Sequence, residues 1–249
     1  MSIKTPTLDQ LKETVALSHR ILYAAGLATD RGHSSTRVPG TDTFLIKPWP
    51  HIQMCRIKAD DIITMDFDGN IVGGKREGVT RVSEWPLHAE LYRAHPELGA
   101  VIHTHQKWAS MMGIAQQPIL PVFGASHSDS VAEGIPMYDD DRALIRQKWQ
   151  GELMVKVMGD APALHLQSHG MAFAGPNLES VTIDAVNIEY QAELTWHALA
   201  IGGANPIPRY FTHRHVERRK QADIPEAWEH FWKWVDENPE SYQVRGVHL

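Results

Sequence analysis

The chain has 249 residues, 43% apolar and 22% charged, with 24 Lys and Arg against 30 Asp and Glu, a net charge of −6 and a single cysteine, Cys55. At that length one compact domain is expected, and the negative balance leaves no summed field to draw the chain to nucleic acid or an anionic membrane. No apolar run is long enough to cross a bilayer, Met1 to Gln10 lacks a basic-then-apolar signal pattern, and one cysteine makes neither an internal disulfide nor a thiolate cluster; a soluble, cytoplasmic protein is expected.

Thr7 and Gln10 fit a capping box, and Leu8, Leu11, Val15, Leu22 and Ala25 share a helical face, which predicts a first helix over 8–26 stopped at Gly26. A Gly-, Ser- and Pro-bearing stretch from Asp30 to Gly40 then leads to the β-type run Thr43 to Ile46, broken at Lys47-Pro48-Trp49-Pro50, and reads as strand, turn, strand. Ile62 to Asp66, Asp68-Gly69-Asn70 and Ile71-Val72 spell a hairpin. Ser83 is placed as N-cap of a helix with Leu87, Leu91 and Ala94 in its apolar stripe, ended by Pro96, so that Glu84 falls in the first turn. Gly99 to His103 reads as a buried strand followed by a helix over 107–116. Further strands are expected at Ile119–Val122, Met154–Val157 and Ala163–Gln167, with helices around 142–149 and 178–201. This alternation of helices and short strands argues for a sheet covered by helices. The tail from Pro206, with Trp228, Trp232 and Trp234, is too small for a core of its own and is read as a docking extension. The expected organisation is a catalytic unit over 1–205 and an extension of the same domain over 206–249.

Fifteen histidines, about twice average usage, direct attention to metal or acid/base chemistry. In His103-Thr104-His105 the period-two alternation of a strand puts both imidazoles on one side, where both reach one metal. The same spacing also arises by chance, as in His213-Arg214-His215, so a third ligand is needed. His169-Gly170, where a strand runs into a turn, suits that role, and three neutral imidazoles leave coordination open for substrate. Glu84 can be brought near by the helix that precedes the His-x-His strand, as a ligand or proton carrier; the alternative is a surface acid stabilised by the helix dipole.

Taken together, Ser83-Glu84-Trp85, His88, Tyr92, Pro96, Val101-Ile102-His103-Thr104-His105 and His169-Gly170 resemble the class II aldolase/adducin family over roughly residues 8–203. The resemblance implies a three-layer α/β/α fold with a central, largely antiparallel sheet, and homotetramers with active sites at subunit contacts. It implies that His103, His105 and His169 bind a divalent metal (zinc, manganese, iron or cobalt) and that Glu84 is the catalytic acid/base. Family members that serve as structural proteins lack the metal histidines, which are all present here.

Sugar-phosphate aldolases of the family hold phosphate with a Gly-Asn element, a Thr-Gly turn and a Ser-Ser pair; this chain has Gly32-His33, Ile46 to Pro50 and Val82-Ser83 instead. The mixture of His33, Arg37, Lys47 and Trp49 suits a planar carboxylated ring and resembles the family's hydroxy-aromatic carboxylate decarboxylases, which act on dihydroxyphthalate or a hydroxypyridine dicarboxylate, with Ser34 and Ser83 as further substrate-binding residues. The expected activity is therefore a metal-dependent, non-oxidative decarboxylation, with His33, Arg37 and Lys47 holding a second carboxylate and with Glu84 or Tyr210 returning a proton to carbon. The alternatives are a metal-dependent aldolase and a ferrous oxygenase on the same site.

Overall fold

The computed structural model describes residues 5–29, 31–50, 52–125, 127–213 and 223–239. Eight strands form one sheet: β1 (His33–Arg37), β2 (Thr43–Ile46), β3 (Ile63–Asp66), β4 (Ile71–Gly73), β5 (Ala100–Thr104), β6 (Met137–Tyr138), β7 (Ala163–Leu166) and β8 (Gly170–Gly175). Their order across the sheet is β4-β3-β2-β1-β5-β8-β7-β6. Every pairing is antiparallel except β6 with β7.

Side-chain alternation along these strands sorts the core into two layers. On one face Leu45, Ile102 and Phe173 pack with Leu22 of α1 (Leu8–Ala24), Met112 of α3 (Lys107–Ile114) and Ile188 of α5 (Leu178–Ala200). On the other, their neighbours Phe44, Val101 and Ala172 pack with Leu87 and Leu91 of α2 (Trp85–Ala94) and Met154 of α4 (Lys148–Met158). Each of the larger side chains contributes about 1.5–3 kcal/mol by leaving water. The result is the expected three-layer α/β/α architecture around a largely antiparallel sheet.

The capping box at Thr7 and Gln10 is present, with Thr7 N–H donating to Gln10 Oε1 at 2.9 Å and Gln10 N–H donating to Thr7 Oγ1 at 3.2 Å. The Asp-Gly hairpin is also present, as β3 and β4. Three elements differ from expectation. Residues 119–122 make no strand: between Pro118 and Pro121 the chain satisfies its amides on α5, Leu120 N–H donating to Thr195 Oγ1 at 3.1 Å and Val122 N–H to Gln191 Oε1 at 2.9 Å. Met154–Val157 lies inside α4, whose N-terminus falls at Lys148 rather than near Arg142 because Gln147 and Gln150 form the capping box there. Strands β6 and β8 add to those read from the sequence.

Within the tail, helix α6 (Glu226–Glu237) lays Trp228, Phe231 and Val235 on Ile21 and Ala24 of α1 and Ile183 of α5, so this part of the extension packs on its own chain. His213 is exposed and His215 lies outside the described residues. Among the described residues no helix is long and apolar enough to cross a membrane.

Candidate metal centre

Strand β5 runs through the middle of the sheet, and His103 near its end is completely buried, flanked by His33 on β1 and Ala172 on β8. His105 follows just beyond the strand, where α3 begins; Glu189 of α5 anchors that helix start by accepting from the N–H groups of Trp108 and Ala109 at 2.7 and 2.9 Å. The strand alternation does what the spacing predicted, bringing the Nε2 atoms of His103 and His105 to 3.0 Å.

His169 arrives from the turn joining β7 to β8, closed by His169 N–H donating to Leu166 O at 3.0 Å. Ser168 takes the left-handed conformation in that turn, φ 59°. Gly170 lets it approach β5: a Cβ there would overlap the Thr104 carbonyl oxygen and lie 3.0 Å from His105 Cδ2. Glycine alone fits this contact.

Glu84, not Ser83, is the N-cap of α2, and Ser83 is exposed beside it. The Glu84 side chain does not cap the helix. It is 5% exposed and turns into the histidines, with Oε2 3.5 Å from His103 Nε2 and Oε1 3.5 Å from His169 Nε2. Ile145 N–H steadies the carboxylate, donating to Oε1 at 3.1 Å. The surface-acid reading of Glu84 is thereby set aside.

Ligand atoms of Glu84, His103, His105 and His169 all lie within 4.8 Å of one another. Bonds of about 2.1 Å to one ion give ligand-to-ligand separations of about 3.0–3.5 Å, as found on three edges of this group. His103 Nδ1 lies 2.9 Å from Met171 O and so carries the hydrogen, leaving an Nε2 lone pair aimed at the cluster; such outer contacts orient metal-binding histidines. Both ring nitrogens of His169 are buried without a hydrogen-bond partner. The donor set of imidazoles and a carboxylate fits a divalent ion of the zinc, manganese, iron or cobalt type.

The electrostatics agree. Burial drives His103 well below the ordinary histidine value, with the charges of His169, His33 and His105 adding to it and Glu84 opposing. Burial likewise lowers His105 to about 4, helped by His169 and His33. Burial lowers His169 too. Neutral imidazole is the form that binds metal. For Glu84 burial alone would raise the carboxyl, but the neighbouring His103, His33 and His169 outweigh it and hold it below the usual carboxylate range.

The other predicted residues separate. His33 reaches the cluster, its Nε2 3.9 Å from Glu84 Oε2, and its Nδ1 shares a 2.6 Å hydrogen bond with His88 Nε2. His88 Nδ1 meets Ser35 Oγ at 2.7 Å and Ser35 Oγ meets the Tyr92 hydroxyl at 2.8 Å, which completes a buried polar chain behind Glu84. Ser34 points to the opposite face of β1, its N–H donating to His19 Nε2 at 3.1 Å, and is wholly buried there. Lys47 is also wholly buried; its charge helps to lower both His19 and His33. Trp49 is bridged to Thr80 at the surface.

Arg37 is a correction. It occupies the far end of β1 from His33, and its guanidinium donates to the carbonyls of Leu98 at 2.9 Å, His95 at 3.2 Å and Tyr92, against the rings of Phe67 and Tyr92. It ties down the C-terminus of α2 and is not available to a ligand. Tyr210 is 84% exposed against Phe211, beside Arg209, which pairs with Glu133, and the fold does not bring it to this chain's cluster. A cleft of about 480 Å³ among His95, Leu98, Glu133, Pro162 and Pro176 lies at the other end of β5 and β8, and no predicted site residue lines it. Sequence reasoning left His88 unassigned, although it stands one helical turn from Glu84 on the same face of α2.

Residues 13–196 match the class II aldolase and adducin N-terminal domain family. The chain belongs to that family. It is 31% identical over 208 residues to a 3,4-dihydroxyphthalate decarboxylase of Arthrobacter keyseri, covering 78% of this chain and 80% of the relative. It is also 31% identical over 226 residues to L-ribulose-5-phosphate 4-epimerase UlaF of Salmonella paratyphi C, covering 85% and 96%. In three dimensions it is similar to the L-fuculose 1-phosphate aldolase from Glaciozyma antarctica, with a TM-score of 0.81, 20% identity and 98% and 97% coverage, a likeness of fold. With this membership and an assembled ligand cluster, the class II aldolase-like chain is a metal-dependent enzyme of the lyase type.

Proposed function

We propose that this class II aldolase-like enzyme is a non-oxidative decarboxylase of a hydroxylated aromatic carboxylate of the dihydroxyphthalate kind. The observation that carries the reading is His33: an imidazole, buttressed by His88, faces the cluster at the position where the resemblance expects the amide of a phosphate-holding Gly-Asn element. The similarity to a 3,4-dihydroxyphthalate decarboxylase supports the same reading.

Loss of carbon dioxide leaves an electron pair on a ring carbon, and a divalent ion held by His103, His105 and His169 would supply the adjacent electrophile. Glu84 does the proton work. Held ionised, it accepts the proton of the substrate hydroxyl, and it returns a proton to the ring carbon after carbon dioxide has left. The balance is one carboxylate and one solvent proton consumed for one carbon dioxide and one ring hydrogen, with no oxidant. His33, hydrogen-bonded to His88, keeps the Glu84 carboxylate turned toward the reacting atoms. Neither Arg37 nor Ser34 takes part. Tyr210, exposed in its own chain, belongs to this proposal only as a donor to a neighbouring copy in the expected cytoplasmic homotetramer. Exposed Met111, Ile114, Trp196 and Leu199 on α3 and α5 support self-association.

A second reading, aldol cleavage or epimerisation of a sugar phosphate, is favoured by the longer stretch shared with the epimerase. The deciding assay is carbon dioxide release from 3,4-dihydroxyphthalate under nitrogen, run beside aldehyde release from L-fuculose 1-phosphate and epimerisation of L-ribulose 5-phosphate. Oxygen-independent release of carbon dioxide is expected. Turnover of either sugar phosphate without it would overturn the proposal, and a requirement for oxygen would point to the ferrous oxygenase.

A further inference from the structure

We propose that Arg31 binds an anionic group of the substrate, a second carboxylate or a phosphate, at the mouth of the metal centre. This rests on the reading above only in taking the cluster as the place where substrate binds.

The backbone places the residue. Strands β1 and β5 pair antiparallel with His33 opposite His103 and Ser34 opposite Ile102. The ladder ends there, and Arg31 lies two residues before His33, just outside it. Gly32 between them, at φ 93°, keeps the chain against the end of β5, since a Cβ there would be 3.0 Å from His103 O and 3.6 Å from Thr104 Cα. The segment that carries Arg31 therefore crosses the strand end that carries two of the three histidines.

The state of the guanidinium supplies the second argument. Arg31 is exposed, and no hydrogen bond, ion pair or ring contact holds it among the described residues. Three other arginines are occupied: Arg37 on three carbonyls, Arg81 on Gly69 O at 2.6 Å and the face of Trp85, Arg93 on Phe67 O at 2.7 Å and Asp68 at 3.0 Å. Lys47 is buried and engaged. The charge of Arg31 is felt at the His105 ring, where it adds to the larger effects of burial and the other histidines. A planar fork of N–H donors matches carboxylate or phosphate oxygens in pairs, and this one is spent on nothing else.

The role that the sequence suggested for Arg37 thus passes to Arg31. A substrate anchored to the metal centre through one oxygen-bearing edge would present its remaining anion to Arg31 at the rim. Recognition at this position separates substrates with two anionic groups from those with one.

The test uses the full chain loaded with zinc and calorimetric titration of phthalate, benzoate and inorganic phosphate into wild type, R31Q, R31K and, as a surface control, R76Q. Wild type should prefer phthalate or phosphate to benzoate. R31Q should weaken that ligand by about tenfold or more, R31K by less, and R76Q not at all. Preference for phthalate identifies a carboxylate at Arg31, and preference for phosphate a phosphoester. Equal binding by R31Q and wild type, or no preference of wild type over benzoate, would overturn the inference. Carbon dioxide release measured on the same samples keeps the two claims apart. If R31Q loses the anion while wild type decarboxylates nothing, the inference stands and the decarboxylase reading falls. If wild type decarboxylates and R31Q shows unchanged binding and KM, the inference falls alone.

Discussion

Replacing Gly170 by Ala tests whether the close approach of β8 to β5 is what assembles the ligand set. The new methyl would overlap the Thr104 carbonyl oxygen by about 1 Å, since an unstrained carbon–oxygen contact lies above about 3 Å, and it would also press on His105 Cδ2 at 3.0 Å. Both obstacles flank the hydrogen-bonded pair of Thr104 with Met171, so relief means parting the ends of β5 and β8. His169 precedes Gly170 directly and would move with β8, away from His103 and His105. Overpacking of this size costs about 1–3 kcal/mol of stability, and a shift near 1 Å exceeds the roughly 0.2 Å that a metal site tolerates in its ligand distances. The expected result is unfolding in urea at lower concentration by that free energy, and zinc affinity reduced about 10–100-fold in competition with a chromophoric chelator. Wild-type zinc affinity in a destabilised variant would refute the link between the strand contact and the ligand set.

Two further changes probe the surroundings. Arg37→Ala removes the charged donor from the carbonyls of Tyr92, His95 and Leu98 and should lower stability by about 2–3 kcal/mol while leaving KM near wild type. A raised KM with unchanged melting temperature would return Arg37 to the ligand. His165 is buried beside Gly113 and burial lowers it to about 4, so the unfolded chain takes up a proton from about pH 6.5 downward that the folded chain refuses. Its contribution is therefore complete above pH 6.5 and is lost as pH falls toward 4, by about 3 kcal/mol at the lower limit. Urea unfolding at pH 7 and pH 4.5 should show a smaller acid loss in His165→Asn than in wild type, and equal losses would contradict the assignment.

The fold was readable where local pattern and tertiary demand coincide. The stripe and capping box of α1 and the Asp-Gly hairpin of β3 and β4 meant the same thing at both levels. Met154–Val157 did not, because a short apolar run is ambiguous until its length is known, and it belongs to the apolar face of α4. Strand β8, Gly-Met-Ala-Phe-Ala-Gly, lacks the β-branched residues that announce a strand; its small residues answer instead to close neighbours, Gly170 to Thr104 and Gly175 to Val181. Ile119–Val122 looks like a strand in composition, but its amides go to α5, a partner some seventy residues on that no local pattern shows.

The site follows the same division. Strand periodicity put His103 and His105 on one side, chain position suggested His169 and Glu84, and the family resemblance singled out all four together. Arg37 was misplaced because proximity in sequence to His33 is not proximity in space: four residues of extended chain carry it to the other end of β1. His88 and Tyr92 could have been found from Glu84 by the four-residue helical step, since all three face the sheet on α2. Arg31 carries no motif, and only the contact of its neighbour Gly32 with the end of β5 identifies it.

The most direct test of the account is the metal content of the purified chain, compared with His103→Ala, His105→Ala and His169→Ala, each checked for native unfolding behaviour. One tightly bound divalent ion per chain is expected in wild type, with the ion lost or weakly held in each variant. A wild-type chain that binds no divalent ion when offered zinc, manganese, iron or cobalt, or variants that retain it fully, would contradict the assignment of this cluster as the metal centre.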